Sequence, residues 1–474
     1  MPLASNPLTD LRPPVRTPII PVSPRFVGEA QTLDLEAICV FAALGFFLDQ
    51  DSYCKEVKAL RPAHTYDTYP KPVGTPWFTW HYEPRDITLR QAVNEFADLF
   101  EAIIDEQTGS ANVILPLSGG LDSRTQAAAL AYLKKDVHAF GYRFERGLDE
   151  TYYSSQIARR CGFAFENWVV PKGYLWREVD RLATVTGCYS EFTHPRQMAF
   201  LDRYAALGEV FSVGHWGDVL FDDMHVPDDL AFDDQVSALL GKIVKPGGLE
   251  LARALWQAWA QPGHFDDYLR ERITALLHAI PIPHSANARI RAFKSLYWAT
   301  RWTAVNLAIF QSVRPVTAPY FDDRMCQFIC TVPERWLAGR QIQVEYVKRR
   351  SPELARVPWQ EHRPFNLYTY SWNKMPYQLP YVVWWKLKSK WRKSKMIQRN
   401  WELQFVGEDN DKHLRERLFD NAAFSDWIPK NLTKRLYNSF LLDDPVKYSH
   451  SVSILLTLSQ FMKITFDNKP QSLS

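Results

Sequence analysis

The chain predicts an α/β fold in which a doubly wound parallel sheet is preceded by a small module and followed by a helical region. Three observations carry this. Short apolar runs alternate with runs of helical spacing between about 89 and 213. A Gly-Gly turn stands directly between one such strand and the next helix. The stretch from 235 to about 350 is apolar at helical spacing almost throughout. Strands that alternate with helices build a parallel sheet covered on both faces.

Taken in order, residues 1–30 hold seven prolines, among them Pro13, Pro14 and Pro18. Proline fixes φ and lacks an amide donor, so this part predicts an extended N-terminal tail, docked or mobile. Residues 31–88 predict a small strand-bearing module: Leu35 to Leu48 is apolar at near-helical spacing, Val57 to His64 carries a turn signal, and Trp77 to Tyr82 is aromatic. From Leu89 to Glu106, Ala92, Val93, Phe96, Leu99, Phe100, Ile103 and Ile104 mark one helix face. Val113 to Leu117 predicts a strand, Thr125 to Leu133 a helix, and Val137 to Phe144 a second strand. A helix closing at Ile157 to Cys161 is stopped by Gly162, with further strands at Glu166 to Val170 and Val210 to Val213.

Composition narrows the function. The chain has 474 residues, 46% hydrophobic and 23% charged, which is globular. A net charge of +3 argues against a dedicated nucleic-acid binder. The six cysteines, at 39, 54, 161, 188, 326 and 330, form no CxxC pair, which argues against a zinc ribbon or a redox motif. Cys326 and Cys330 are four apart and predict two buried thiols on one helix face. No basic segment followed by an apolar run opens the chain, and no apolar stretch approaches the ~20 residues of a membrane span, so a cytoplasmic protein is expected.

The chemistry sits in Ser118-Gly119-Gly120-Leu121-Asp122-Ser123. Two residues without Cβ let backbone N–H groups close on an anion. The next helix adds its N-terminal donors and positive dipole end, and Ser118 and Ser123 add hydroxyls. Asp122 would repel phosphate, so its presence among anion-binding groups points to a bridging Mg²⁺.

Leu117 to Ser123 resembles the pyrophosphate loop of asparagine synthetases and β-lactam synthetases, and lacks the Gly-Lys-Ser/Thr of a Walker A loop. Asp149-Glu150 before a helix, Gly214-His215-Trp216-Gly217-Asp218-Val219-Leu220-Phe221, Arg314 to Asp323 and Leu354 to Trp359 resemble later segments of the same family in the same order. The resemblance spans about 40–370. It implies an ATP pyrophosphatase fold of the adenine nucleotide α-hydrolase kind over 89–474, with 31–88 a truncated remnant of the family's glutaminase-type domain. It implies an amide ligase that converts ATP to AMP and pyrophosphate through an acyl-adenylate.

On that resemblance, ATP and Mg²⁺ are the expected cofactors. Asp122 and Asp218 would hold the metal. Pro116, Leu117, Ser118, Gly119, Gly120, Leu121, Asp122, Ser123, Tyr142 and Gly214 would contact the nucleotide. His215 stands where glutamine-dependent relatives carry a glutamate near the amine, and an imidazole there can take a proton near neutral pH. Two departures stand out. The chain reads Met1-Pro2 and its first cysteine is Cys39, so no glutaminase nucleophile is expected. The amine would then be ammonia, part of the substrate, or a delivery from a partner protein. Relatives also carry a lysine after the Pro-Trp step, where this chain reads Pro358-Trp359-Gln360-Glu361-His362-Arg363. A carboxylate at that slot cannot stabilise a developing oxyanion, so Arg363, Lys348 and Arg349 become the basic candidates. This departure also motivates an alternative: a catalytically impaired nucleotide-binding relative that serves as a scaffold or partner subunit.

Residues 381–395 read YVVWWKLKSKWRKSK, with Trp384, Leu387 and Trp391 at helical spacing among basic residues. Such a helix over 381–396 predicts either tryptophans packed on the core or peripheral contact with the inner face of a membrane. In the second case a lipid-linked glycan, envelope or peptide carboxylate becomes a natural substrate beside small metabolites.

Overall fold

The structure, a computed structural model, describes residues 14–66, 73–147, 149, 151–390 and 397–466. Among the described residues, ten strands follow in chain order: β1 (Val15–Arg16), β2 (Phe26–Val27), β3 (Lys58–Ala59), β4 (His64–Tyr66), β5 (Gly74–Pro76), β6 (Val113–Pro116), β7 (Val137–Phe144), β8 (Ala164–Val170), β9 (Val210–Ser212) and β10 (Val316–Thr317). The last five form one parallel sheet in the order β10-β9-β6-β7-β8. Its β6 residues Val113, Ile114 and Leu115 are fully buried, as befits a parallel strand covered on both faces.

The crossovers are helical. After α1 (Leu35–Leu44) and α2 (Leu89–Thr108), α3 (Asp122–Tyr132) joins β6 to β7, α4 (Thr151–Cys161) joins β7 to β8, and α5 (Tyr174–Thr186) leads towards β9. Helices α2, α3 and α4 pack with the helix Gln341–Arg350 as one group, while α5 packs with Ala304–Gln311. The sheet is therefore doubly wound. Its topological switch lies between β6 and β9, whose neighbours continue in opposite directions, and a crevice opens there at the carboxyl ends of the strands.

The helix α2 starts on a capping box in which Thr88 Oγ1 accepts from Gln91 N and Gln91 Oε1 accepts from Thr88 N. Gly162 ends α4 at φ +73°, as its place after the periodic run predicts. Helix α3 begins at Asp122 rather than near Thr125, so the aspartate of the glycine turn sits in the first helical turn.

Of the two expectations for the N-terminal tail, docked or mobile, the described part follows the first. Residues 14–30 are docked: β1 pairs antiparallel with β4, β2 with β3, and Ile19 and Ile20 are buried in the main core. Asp323 Oδ1 accepts the Ile19 amide at 2.7 Å. Residues 1–13 lie outside the described residues, as does Glu150. The aromatic run Trp77–Tyr82 forms no strand; it packs as irregular chain, with Trp80 buried. All six cysteines are free thiols, and Cys330 Sγ donates to Cys326 O at 3.3 Å on their shared helix face.

Candidate active site

The turn 118–123 leaves β6 at the switch crevice and enters α3. Its hydroxyls preform it: Gly120 N donates to Ser118 Oγ at 3.2 Å, Ser118 N donates to Ser123 Oγ at 3.1 Å, and the two hydroxyls lie 3.0 Å apart. Gly119 is required by what covers it. A Cβ there would fall 2.5 Å from Gln360 Oε1 and 2.7 Å from Tyr153 Cβ. The segment after Trp359 thus roofs the turn, and Gln360 N donates to Gly119 O at 3.2 Å.

Arg124 ties the two segments together. Its side chain is fully buried and donates from Nη1 to Val357 O (2.8 Å) and Leu354 O (3.4 Å), and from Nη2 to Pro358 O (2.8 Å) and Gly119 O (3.3 Å). Burial lowers its pKa to about 9, with the charge of Arg160 adding to the fall.

The segment after β9 closes against the same turn. A Cβ on Gly214 would meet Gln126 Oε1 at 3.0 Å and Ser123 N at 3.2 Å. Trp216 takes a left-handed φ of +79°, a costly state for a bulky residue, and its indole Nε1 donates to Ser295 Oγ at 3.0 Å. This brings Gly217 and Asp218 over Asp122. Tyr320 OH accepts from Gln343 Nε2 at 2.8 Å, and the same amide donates to Asp122 Oδ1 at 3.0 Å. Arg340, nearly buried, pairs with that oxygen too. Burial raises the Asp122 pKa to about 6; Arg340 pulls it down and the neighbouring Asp218 pushes it up.

Two cavities meet on these carboxylates. One, of about 400 Å³, is lined at the switch crevice by Pro116, Ser118, Ser123, Gly214 and His215, with an aromatic wall of Trp216, Trp298 and Trp302. The other, of about 410 Å³, is lined by Gly120, Leu121, Asp222, His225, Lys242, Arg340 and Glu361. Ser118, Asp122, Asp218 and Lys294 line both. The first cavity is bounded by a π-helical segment, Lys294–Thr303, a geometry that recurs at functional sites. Among the described residues, buried polar atoms lining this cavity have no hydrogen-bond partner: Trp298 Nε1, Trp302 Nε1, Thr303 Oγ1 and His215 Nδ1. Burial lowers the His215 pKa to about 4 against the pull of Asp218, so the imidazole is neutral at pH 7. Burial likewise lowers the pKa of Lys294, with Asp218 opposing.

Of the residues singled out from sequence, Pro116, Ser118, Gly120, Leu121, Asp122, Ser123, Gly214, His215 and Asp218 line these cavities. Leu117 is buried beside them. Three stand apart. Tyr142, at the end of β7, accepts from Arg196 Nε at 3.1 Å on the far side of β6. Lys348 pairs with Glu345 at 2.8 Å, and Arg363 is engaged with the Tyr153 phenol; neither lines a cavity. Arg349 bonds Asn94 on the outer face of its helix. The segment Arg314–Asp323 serves the fold: Arg314 donates to Gly208 O and Ala205 O, and Asp322 caps the helix Asp323–Ile329. The residues not singled out are Arg124, Lys242, Lys294, Arg340, Gln343 and the wall Trp298-Trp302-Thr303. Lys294, Trp298 and Trp302 follow at i, i+4, i+8, a stripe that a helix-face reading can find.

At the switch crevice the Gly-Gly turn faces two carboxylates and several cations. The family model for asparagine synthase matches residues 95–336, just over half of the chain, and the chain belongs to that family of carbon–nitrogen ligases. No curated protein sequence matches it.

Proposed function

We propose that the protein activates a carboxylate with ATP as an acyl-adenylate and transfers the acyl group to an amine, with no glutaminase activity of its own. The observation that carries this reading is that Asp122 and Asp218 share both cavities directly over the turn 118–123. The donor set, two carboxylates and two serine hydroxyls, is the hard oxygen set that Mg²⁺ takes. Asp122 and Asp218 would hold the ion, which when bound supplies charge neutralisation for the phosphates.

The chain's own residues account for the rest. Backbone and hydroxyl donors of 118–123 grip the β- and γ-phosphates, with Lys242 and Arg340 on the same side. The substrate carboxylate, in the aromatic-walled cavity, attacks the α-phosphorus. The bond to the β-phosphate breaks and pyrophosphate leaves. Lys294, on the line between the cavities, places its ammonium where charge builds on the α-phosphate. It takes the part of the lysine replaced by Glu361, which lies exposed at the rim of the second cavity. The amine nitrogen then attacks the acyl carbon, the bond to AMP breaks, and neutral His215 accepts the amine proton.

Two observations favour the second reading, a binding subunit without turnover: Arg340 already neutralises Asp122, and Glu361 lines the phosphate-side cavity. Pyrophosphate release from MgATP, screened with small-molecule, sugar and peptide carboxylates plus ammonium, decides between them. Release that depends on one acid supports the ligase. Nucleotide binding with no release in any mixture overturns it in favour of the scaffold.

A further inference from the structure

The cavities do not account for the segment that follows the roof over Gly119. Between Glu361 and Glu402 the chain has no acidic residue, and it carries nine lysines and arginines there. The whole protein is only +3, so the rest of the chain is net acidic and the positive charge is concentrated in this one stretch. The same stretch holds much of the exposed apolar surface among the described residues: Tyr368, Trp372, Met375, Tyr377, Val383 and Trp384 are each about half exposed or more. Aromatic side chains of this size are elsewhere mostly buried, so a cluster in water is informative.

The aromatics are held in pairs. Trp372 stacks on Tyr377 with ring centroids 5.8 Å apart, and Tyr381 on Trp384 at 6.0 Å. The helix Leu379–Lys390 carries Val383 and Trp384 outward, and its sequence includes Lys386, Lys388 and Lys390. The part from 391 to 396 lies outside the described residues. The base of the segment is fixed, because Asn373 Nδ2 lies 3.0 Å from His362 Nδ1 beside the roof of the turn. No helix of the described residues is long and apolar enough to cross a membrane.

We infer that residues 368–390 form a docking surface for an anionic lipid bilayer, with the exposed aromatics Tyr368, Trp372, Tyr377 and Trp384 entering the headgroup layer and the positive charge of the segment attracting the lipid phosphates. Charge complementarity selects this occupant. An apolar protein partner or a second copy of the chain would have to bury a stretch of one-sign charge, whereas an acidic leaflet neutralises it at about 1 kcal/mol per basic residue. Aromatic belts with basic flanks are what interfacial segments present. The inference is independent of the catalytic reading, because it rests on residues outside both cavities.

The test is flotation of the full chain with vesicles of phosphatidylcholine alone and with about 30% phosphatidylglycerol added. The chain is expected to float at least about tenfold more with the anionic vesicles, and to be released by about 0.5 M salt. The double variant Trp372→Ser/Trp384→Ser and the triple variant Lys386→Gln/Lys388→Gln/Lys390→Gln should each lose about tenfold of the binding with the thermal transition retained. Equal flotation with neutral vesicles, no flotation with anionic ones, or binding unchanged in both variants overturns the inference. So does a dimer in sedimentation velocity that the tryptophan variant abolishes in the absence of vesicle binding.

Discussion

The carboxylate of Asp122 occupies the space that a side chain on Gly217 would need: a Cβ at Gly217 would lie 2.2 Å from Asp122 Oδ1. The turn 118–123 and the segment after β9 therefore meet through a missing methyl group. Gly217→Ala is expected to push Asp122 off its position and to remove most metal-dependent pyrophosphate release, while Gly241→Ala, which meets nothing within 4 Å, stays active. Asp122→Asn and Asp218→Asn should each reduce the release by about a hundredfold or more. Magnesium titration of the release checks both, and a wild-type response in either asparagine variant would end the metal assignment.

Arg124 binds the turn to its roof through four backbone carbonyls. Gly119 O and Leu354 O keep the Gln360 and Val357 amides as donors, so removing the guanidinium strips its hydrogen bonds chiefly from Val357 O and Pro358 O, at a cost of about 3 kcal/mol. Arg124→Met should show this in chemical denaturation, with nucleotide affinity falling alongside. Stability unchanged in that variant would show that the clamp is dispensable.

Lys294 and Lys348 separate the structural assignment from the sequence expectation. Lys294→Met is expected to lower the turnover by about a hundredfold with the nucleotide Kd little changed. Lys348→Met, which breaks a pair with Glu345 and a contact with the Tyr368 ring, should lower it by less than about twofold. The reverse order, measured as kcat for pyrophosphate release, would restore Lys348 to the site.

Acid sensitivity follows from His450. Its Nε2 lies 2.9 Å from Ala42 O inside the core, and burial lowers its pKa from 6.5 to about 4, against the pull of Glu191. The unfolded chain protonates this imidazole near 6.5 and the folded chain only near 4, so between these values the unfolded state binds more protons. Stability then falls as pH drops through this window, by a contribution on the order of 3 kcal/mol. His450→Gln keeps a donor for Ala42 and should flatten the pH dependence of urea midpoints between about pH 6.5 and 4. An unchanged slope would assign the acid sensitivity to other groups.

Much of the sheet was legible because its signals are local. Strand β7 has the bounds read from its apolar run, and α2 extends only two residues beyond the reading, to Thr108. The start of α3 was read three residues late, because Asp122, Ser123 and Arg124 look like turn residues until the helix is seen to begin beneath them. Residues 14–30 read as a tail because proline-rich chain gives no periodic signal, and their docking depends on partners such as Tyr66 and Asp323.

The sequence by itself determined the turn 118–123, its place between a strand and a helix, and the acidic residue at 218, since glycine freedom, hydroxyl donors and strand–helix alternation act over a few residues. Only the tertiary structure decided which cations face those carboxylates. Arg340 reaches Asp122 across 218 residues of chain, and Lys294 reaches the same crevice from a π-helical turn. Such pairings are set by how helices pack on the sheet, a long-range property that no local pattern of residues encodes.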